Sequence, residues 1–248
     1  MSSGCRCLPA CSVQRGIPMV ETIAGKGAVT QDHAAHAGPS GIVGSTSANA
    51  LAAGADVILA IGTGLQDFTT GSWTAFRQDA KFNSINTARF DATKHRGLAM
   101  VGDALETVTE LNADLGDWRA DAALMPRAKA LFAEWNALLA KHHAPTNAAI
   151  STYALVIATV NREARPNDTL IAAAGGLPGE VTKSWKVKDP NTFDCEFGFF
   201  CMGYGIADAW VPGDADWDVG VPEVGTRDAV AKARAHQMEI RKKQLVGV

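Results

Sequence analysis

The run Asp56-Val57-Ile58-Leu59-Ala60-Ile61, closed by Gly62-Thr63-Gly64, constrains this 248-residue chain more than any other feature. An unbroken apolar stretch of strand length fits a parallel strand covered on both faces, because a half-solvated strand would alternate apolar and polar residues. Parallel neighbours need crossover connections, and helical segments stand where those are required. Residues 17–21, 81–86 and 98–101 read as further short strands. Ser45 or Thr46 is placed to cap one helix, and Asp103 to cap another carrying Leu105, Val108 and Leu111 at helical spacing. Residues 16 to about 115 are therefore expected to form a layered α/β unit, with the Gly62-Thr63-Gly64 turn at the sheet edge where such folds place ligands.

Three glycine signals lie along the chain. Gly38, Gly41 and Gly44 lack the G-x-G-x-x-G spacing of a dinucleotide fingerprint, so a tight turn beside a packed helix is the simpler expectation. Gly62-Thr63-Gly64 follows a strand. Gly175-Gly176-Leu177-Pro178-Gly179 follows the apolar run of residues 169–174, and a turn there exposes backbone N–H groups able to cradle a phosphate.

The second half reads as more helical at first. Pro126 opens a helix whose Leu131, Trp135, Leu138 and Leu139 form one stripe, ending near Lys141-His142-His143. Consecutive helical residues diverge by about 100°, so His142 and His143 are expected to serve the helix terminus and not one metal ion. Ser151 is expected to cap a helix that turns Tyr153, Leu155, Val156, Ile157 and Val160 inward. Residues 177–198 read mostly as a long loop, with Asp194 and Glu196 either a coupled carboxylate pair or solvated charges. Met202 is placed near a helix start, and Thr226 is expected to cap a terminal Lys- and Arg-rich helix.

Composition narrows the partners. With 23 Lys and Arg against 26 Asp and Glu, the net charge of −3 gives no broad positive field for nucleic acid or an anionic membrane, which leaves small molecules as the expected ligands. No apolar run approaches the length of a membrane helix and no signal peptide opens the sequence, so a cytoplasmic, soluble protein is expected. Five cysteines, an odd number, suit reduced thiols. Cys5, Cys7 and Cys11 lack the paired spacing of a zinc site, and residues 1–15 are expected to be an unstructured tail.

Four strings are more specific than any single glycine turn. They are residues 18–27 (PMVETIAGKG), residues 62–73 (GTGLQDFTTGSW), residues 173–180 (AAGGLPGE) and residues 196–204 (EFGFFCMGY). Together they resemble the thiamine-diphosphate-dependent trihydroxycyclohexane-dione hydrolases of myo-inositol breakdown, within the acetolactate-synthase-like superfamily. The resemblance runs from about residue 16 to residue 210 and resumes over residues 217–243. It implies an α/β protein in which residues 16–125 are a Rossmann-like middle domain and residues 126–150 a connecting helix and linker. Residues 151–248 would be part of an α/β diphosphate-binding domain, and residues 1–15 an unmatched tail.

The implied chemistry is hydrolysis of a C–C bond in a cyclic dione. The cofactor thiazolium would add to a carbonyl and hold the developing carbanion while water opens the ring. Gly175, Gly176, Leu177 and Pro178 would lie near the cofactor diphosphate, and Cys201, Met202 and Gly203 beside its rings. Magnesium would bridge diphosphate and protein. The resemblance puts the activating glutamate in a preceding domain and the metal-binding Asp and Asn in a block between residue 210 and the terminal segment. Neither appears in this sequence, and Gly213-Asp214-Ala215 is no substitute because no apolar strand precedes it. The chain is thus expected to hold no catalytic residue and no metal ligand of that set, and to be inactive alone. The family implies a homo-oligomer with the cofactor between subunits. Two other readings stand beside this one: a nucleotide-binding or dimerising module built on Gly62-Thr63-Gly64, and a related carboligase or decarboxylase.

Overall fold

The computed structural model describes residues 4–196, 201–205 and 225–226. It begins with a helix, α1 (Gly4–Arg15), where a tail was expected. The helix has almost no apolar periodicity, and polar anchoring holds its C-terminal end. The buried Arg15 guanidinium donates to the Asn112 side chain (2.8 Å), to the Asn112 carbonyl (2.6 Å) and to the Trp118 carbonyl (3.0 Å). Such bonds join residues about a hundred positions apart, so periodicity within the segment carries no trace of them.

β1 (Met19–Glu21) pairs in parallel with β2 (His36–Pro39), Met19 lying opposite His36. The sequence reading missed β2. His36-Ala37-Gly38-Pro39 has no β-branched residue, yet all four are buried. The chain then turns through Gly41, whose φ of +106° and whose approach to the Phe68 carbonyl leave no space for a side chain. The turn delivers Ser45, the N-cap of α2 (Thr46–Gly54), whose side chain accepts from Ala48 N. The glycine series is therefore a packing device, as its spacing suggested.

The expected parallel sheet follows: β3 (Val57–Ile61), β4 (Lys81–Asn86) and β5 (Leu98–Val101), in that order. Short helices α3 (Asp67–Thr70) and α4 (Arg89–Ala92) interrupt the crossings. Coverage differs from the expectation. Only the central strand is well buried, through Phe82, Ser84 and Ile85, whereas Val57 on one edge strand is 52% exposed and Leu98 on the other 65%. An edge strand has one neighbour, and its outer residues meet solvent unless another layer covers them. Asp103 caps α5 (Ala104–Asp114) as expected, accepting from Leu105 N at 2.8 Å and Glu106 N at 3.2 Å.

α6 (Leu124–His142) begins two residues before Pro126 and packs its Ala128, Trp135 and Leu139 inward. Its C-terminal residues are His142 and, as C-cap, His143, so the two imidazoles do sit at a helix end. α7 (Tyr153–Glu163) is capped by Thr152 and not Ser151, with the Thr152 hydroxyl oxygen accepting from Leu155 N. Its inward face also differs: Ala154, Ile157 and Asn161 are buried, while Tyr153, Val156 and Val160 are exposed. Asn161 takes an inward position because its amide closes a two-way bond with the backbone of Lys186.

β6 (Asp168–Ala172) leads to α8 (Gly176–Ser184) and then β7 (Phe193–Cys195), which pairs with β6 in parallel. The expected long loop over residues 177–198 is thus replaced by a helix and a strand. Val181, Thr182 and Trp185 recur at helical spacing after the glycines, and with Val187, Phe193, Ile157 and Ala172 they build the core of this half. β8 (Gly225–Thr226) pairs antiparallel on the other side of β6. Thr226 lies opposite Asp168 in this ladder. The terminal helix expected after it lies outside the described residues. The halves meet where Phe193 Cβ stands 3.2 Å from the position a Gly27 Cβ would take and where Gln31 N donates to the Val187 carbonyl at 2.9 Å.

Candidate functional site

β6 carries its chain direction into the candidate site. At its C-terminal end Gly175 adopts φ +135°, ψ −177°, a region open essentially to glycine, and becomes the N-cap of α8. No side chain caps the helix, and its first N–H groups, those of Gly176 and Leu177, have no acceptor within the helix. Pro178 contributes no N–H, and Gly179 N already donates to the Gly175 carbonyl at 3.3 Å. The ring of Tyr153 lies beside the turn, with Cε2 3.5 Å from where a Cβ on Gly176 would stand.

The second expected group lies at the same edge. Glu196 N donates to the Ala172 carbonyl at 3.1 Å, extending β7 past the end of β6. The Glu196 carboxylate accepts from Cys201 N at 2.8 Å. Tyr204 N in turn donates to the Cys201 carbonyl, and a Cβ on Gly205 would stand 3.6 Å from the Ile171 carbonyl. Cys201, Met202 and Gly203 are thereby held at the C-terminal ends of β6 and β7, exposed, with Met202 at 84%. Glu196 is thus a structural acceptor and not half of a solvated pair. Met202 is not a core residue.

Cys195 lies between Asp194 and Glu196. Burial, with a smaller push from each carboxylate, raises its thiol to about 11. It stays protonated near neutral pH and is no nucleophile. Among the described residues no group of three or more His, Cys, Asp or Glu side chains is placed to hold a metal ion. The Gly175–Leu177 turn therefore fits one end of a diphosphate, by backbone donors at a helix start, and brings no carboxylate ligand for magnesium.

The carbonyls of the rival turn are engaged by the protein itself. The Thr63 carbonyl accepts from Asn86 Nδ2 at 3.1 Å, the Gly64 carbonyl accepts from Lys94 Nζ, and the Asp91 carboxylate packs against Gly64. Trp73 stacks on His95 at 3.9 Å beside Phe76 and Phe82, completing an aromatic cluster that spacing alone did not reveal. Sequence reasoning also missed a buried charge cluster on β1 and β2. The Glu21 carboxylate accepts from Gly27 N at 3.1 Å and pairs with His36 Nε2 at 3.1 Å, and the buried Lys26 ammonium lies 5.7 Å from the Phe193 ring centre. Glu21, Lys26 and Gly27 belong to the ETIAGKG string.

Residues 8–111 match the family model described as thiamine pyrophosphate enzyme, central domain. That span starts inside α1, upstream of the expected boundary at residue 16. The chain is 34% identical over 229 residues to the 3D-(3,5/4)-trihydroxycyclohexane-1,2-dione hydrolase of Shouchella clausii, covering 82% of this chain and 36% of the relative. It is 32% identical over 222 residues to the protein of that name from Listeria monocytogenes, covering 80% and 35%. The same name belongs to a Bacillus subtilis relative, 32% identical over 226 residues, covering 81% and 35%. The chain spans about a third of the length of these curated relatives. A domain match, several named relatives and an α/β architecture converge: residues 8–111 match a thiamine pyrophosphate enzyme central domain, and about 80% of the chain is similar to about a third of the length of trihydroxycyclohexane-dione hydrolases.

Proposed function

We propose that this chain carries the middle domain and the diphosphate-facing turn of a thiamine-diphosphate-dependent hydrolase that opens the ring of trihydroxycyclohexane-1,2-dione by C–C cleavage in inositol catabolism. The observation that carries this reading is the shared strand edge. Gly175–Pro178 and Cys201–Gly203, far apart in sequence, both stand at the C-terminal end of β6. Residues 16–125 form the middle domain in this reading, residues 126–150 the connection, and residues 151–248 part of the diphosphate-binding domain.

When bound, thiamine diphosphate supplies the nucleophilic carbon and the electron sink for breaking a C–C bond. The work of this chain's own residues is binding and orientation. Gly176 and Leu177 offer N–H donors to a diphosphate oxygen at the positive end of α8. Glu196 holds Cys201 N, fixing where Met202 and Gly203 stand along the cofactor's length. Gly175 permits the turn, since an L side chain at its φ is strained. No proton transfer falls to a described residue at this edge. The homo-oligomeric, cytoplasmic enzyme with magnesium on the diphosphate is the setting that this reading implies.

Two backbone donors, with no carboxylate set among the described residues, give weak, metal-independent anchoring. Calorimetric titration of the chain with thiamine diphosphate is expected to give a dissociation constant of about 1 mM, unchanged by magnesium. Micromolar, magnesium-dependent binding would contradict the assigned donor set.

A further inference from the structure

At the other end of α8, about 12 Å from its glycine turn by helical rise, a cleft of about 610 Å³ opens between α6, α7 and residues 184–188. Its size lies within the range of small-molecule sites. His143, Lys186 and Arg162 line it together with Gln31 and Asp32. We propose that this cleft binds a small oxyanion, a phosphate or carboxylate group, between the His143 imidazole and the Lys186 ammonium.

Three observations support the site. First, His143 Nε2 is buried without a hydrogen-bond partner among the described residues. Leaving such an atom unpaired costs roughly 1–3 kcal/mol, a deficit that a bound acceptor removes. Second, Lys186 makes no ion pair among the described residues, although the neighbouring cations are committed: Lys183 to Glu180 at 2.9 Å, and Lys188 to the Asn161 and Ala164 carbonyls at the end of α7. Third, the wall is rigid. Asn161 is buried and bonds in both directions to the Lys186 backbone, and the Val187 carbonyl accepts from Gln31 N.

The surrounding charges favour an anion at this position. Burial lowers the His143 pKa, Lys186 and His142 lower it further, and only Glu180 opposes them. An anion between His143 and Lys186 reverses that balance. Asp32 also lines the cleft, its carboxyl held below the usual carboxylate range by the Thr30 hydroxyl, so the ligand presents a hydroxyl or amine donor to it and its negative end toward His143. The site is independent of the cofactor turn and of the reading given to it.

The test follows the His143 ring proton by NMR in the full chain, assigned through His143→Gln, while inorganic phosphate or acetate is added. Saturation in the millimolar range is expected, with a rise in the His143 pKa. Lys186→Met is expected to weaken binding at least about tenfold, Lys186→Arg to restore it, and Lys183→Met to leave it unchanged. Response to phosphate alone identifies a phosphorylated ligand, and response to both a carboxylate-tolerant site. No saturation with either anion, or binding unaltered in Lys186→Met, overturns the proposal. If Lys186→Met fails to fold, Lys186→Gln supplies the same comparison.

Discussion

Two single side chains carry opposite pH signatures. Burial disfavours the Lys26 ammonium, so its pKa in the folded chain lies below 10.5 despite the attraction of Glu21. The unfolded chain binds that proton more readily, so this contribution raises stability as pH climbs from the folded value toward 10.5 and removes it on acidification. Cys195 runs the other way. Its thiol is raised from 9.0 to about 11, so its contribution is complete below pH 9.0 and is lost as pH rises through about 11. Urea unfolding across the alkaline range is expected to show the Lys26 rise flattened in Lys26→Met and the Cys195 fall flattened in Cys195→Ala. Parallel pH profiles for wild type and both variants would contradict the burial of these groups. A third residue is purely steric. Gly41→Ala is expected to cost at least about 2 kcal/mol, read as a lower denaturant midpoint, since a Cβ would meet the Phe68 carbonyl at 2.3 Å.

Individual elements were legible in proportion to how locally they are determined. β3 could be read because five consecutive apolar residues admit few alternatives, and the caps at Ser45 and Asp103 because a hydroxyl or carboxylate before a helical run has a local partner. α1, β2 and α8 were not. α1 depends on Arg15 reaching Asn112, and β2 is a strand only because β1 and α2 bury it. α8 hides behind Gly-Gly-Leu-Pro-Gly, a string that reads as a loop until Val181 and Trp185 are seen to share one core. That core sets the expectation for α8. Trp185→Ala should destabilise the chain by about 3–5 kcal/mol in thermal or urea unfolding. A loss below about 1 kcal/mol would mean that the 177–185 segment does not pack as a helix on α7.

Across the whole molecule, the sequence strings located the candidate edge, but its assembly is a tertiary fact. Gly175 and Cys201 become neighbours of one strand end because β7 pairs with β6 and Glu196 carries the chain onward to Cys201 N. The carbonyls of the Gly62-Thr63-Gly64 turn, equally prominent in the sequence, are engaged by Asn86 at the end of β4 and by Lys94 in the segment between β4 and β5. No local pattern distinguishes an open glycine turn from one already occupied by its neighbours.

Amide chemical-shift mapping of thiamine diphosphate on the isotopically labelled chain separates these two turns directly. The account predicts shifts confined to residues 175–179 and 201–205, abolished by Gly175→Ala. Shifts centred on residues 62–64, or shifts at residues 175–179 that survive Gly175→Ala unchanged, would contradict it.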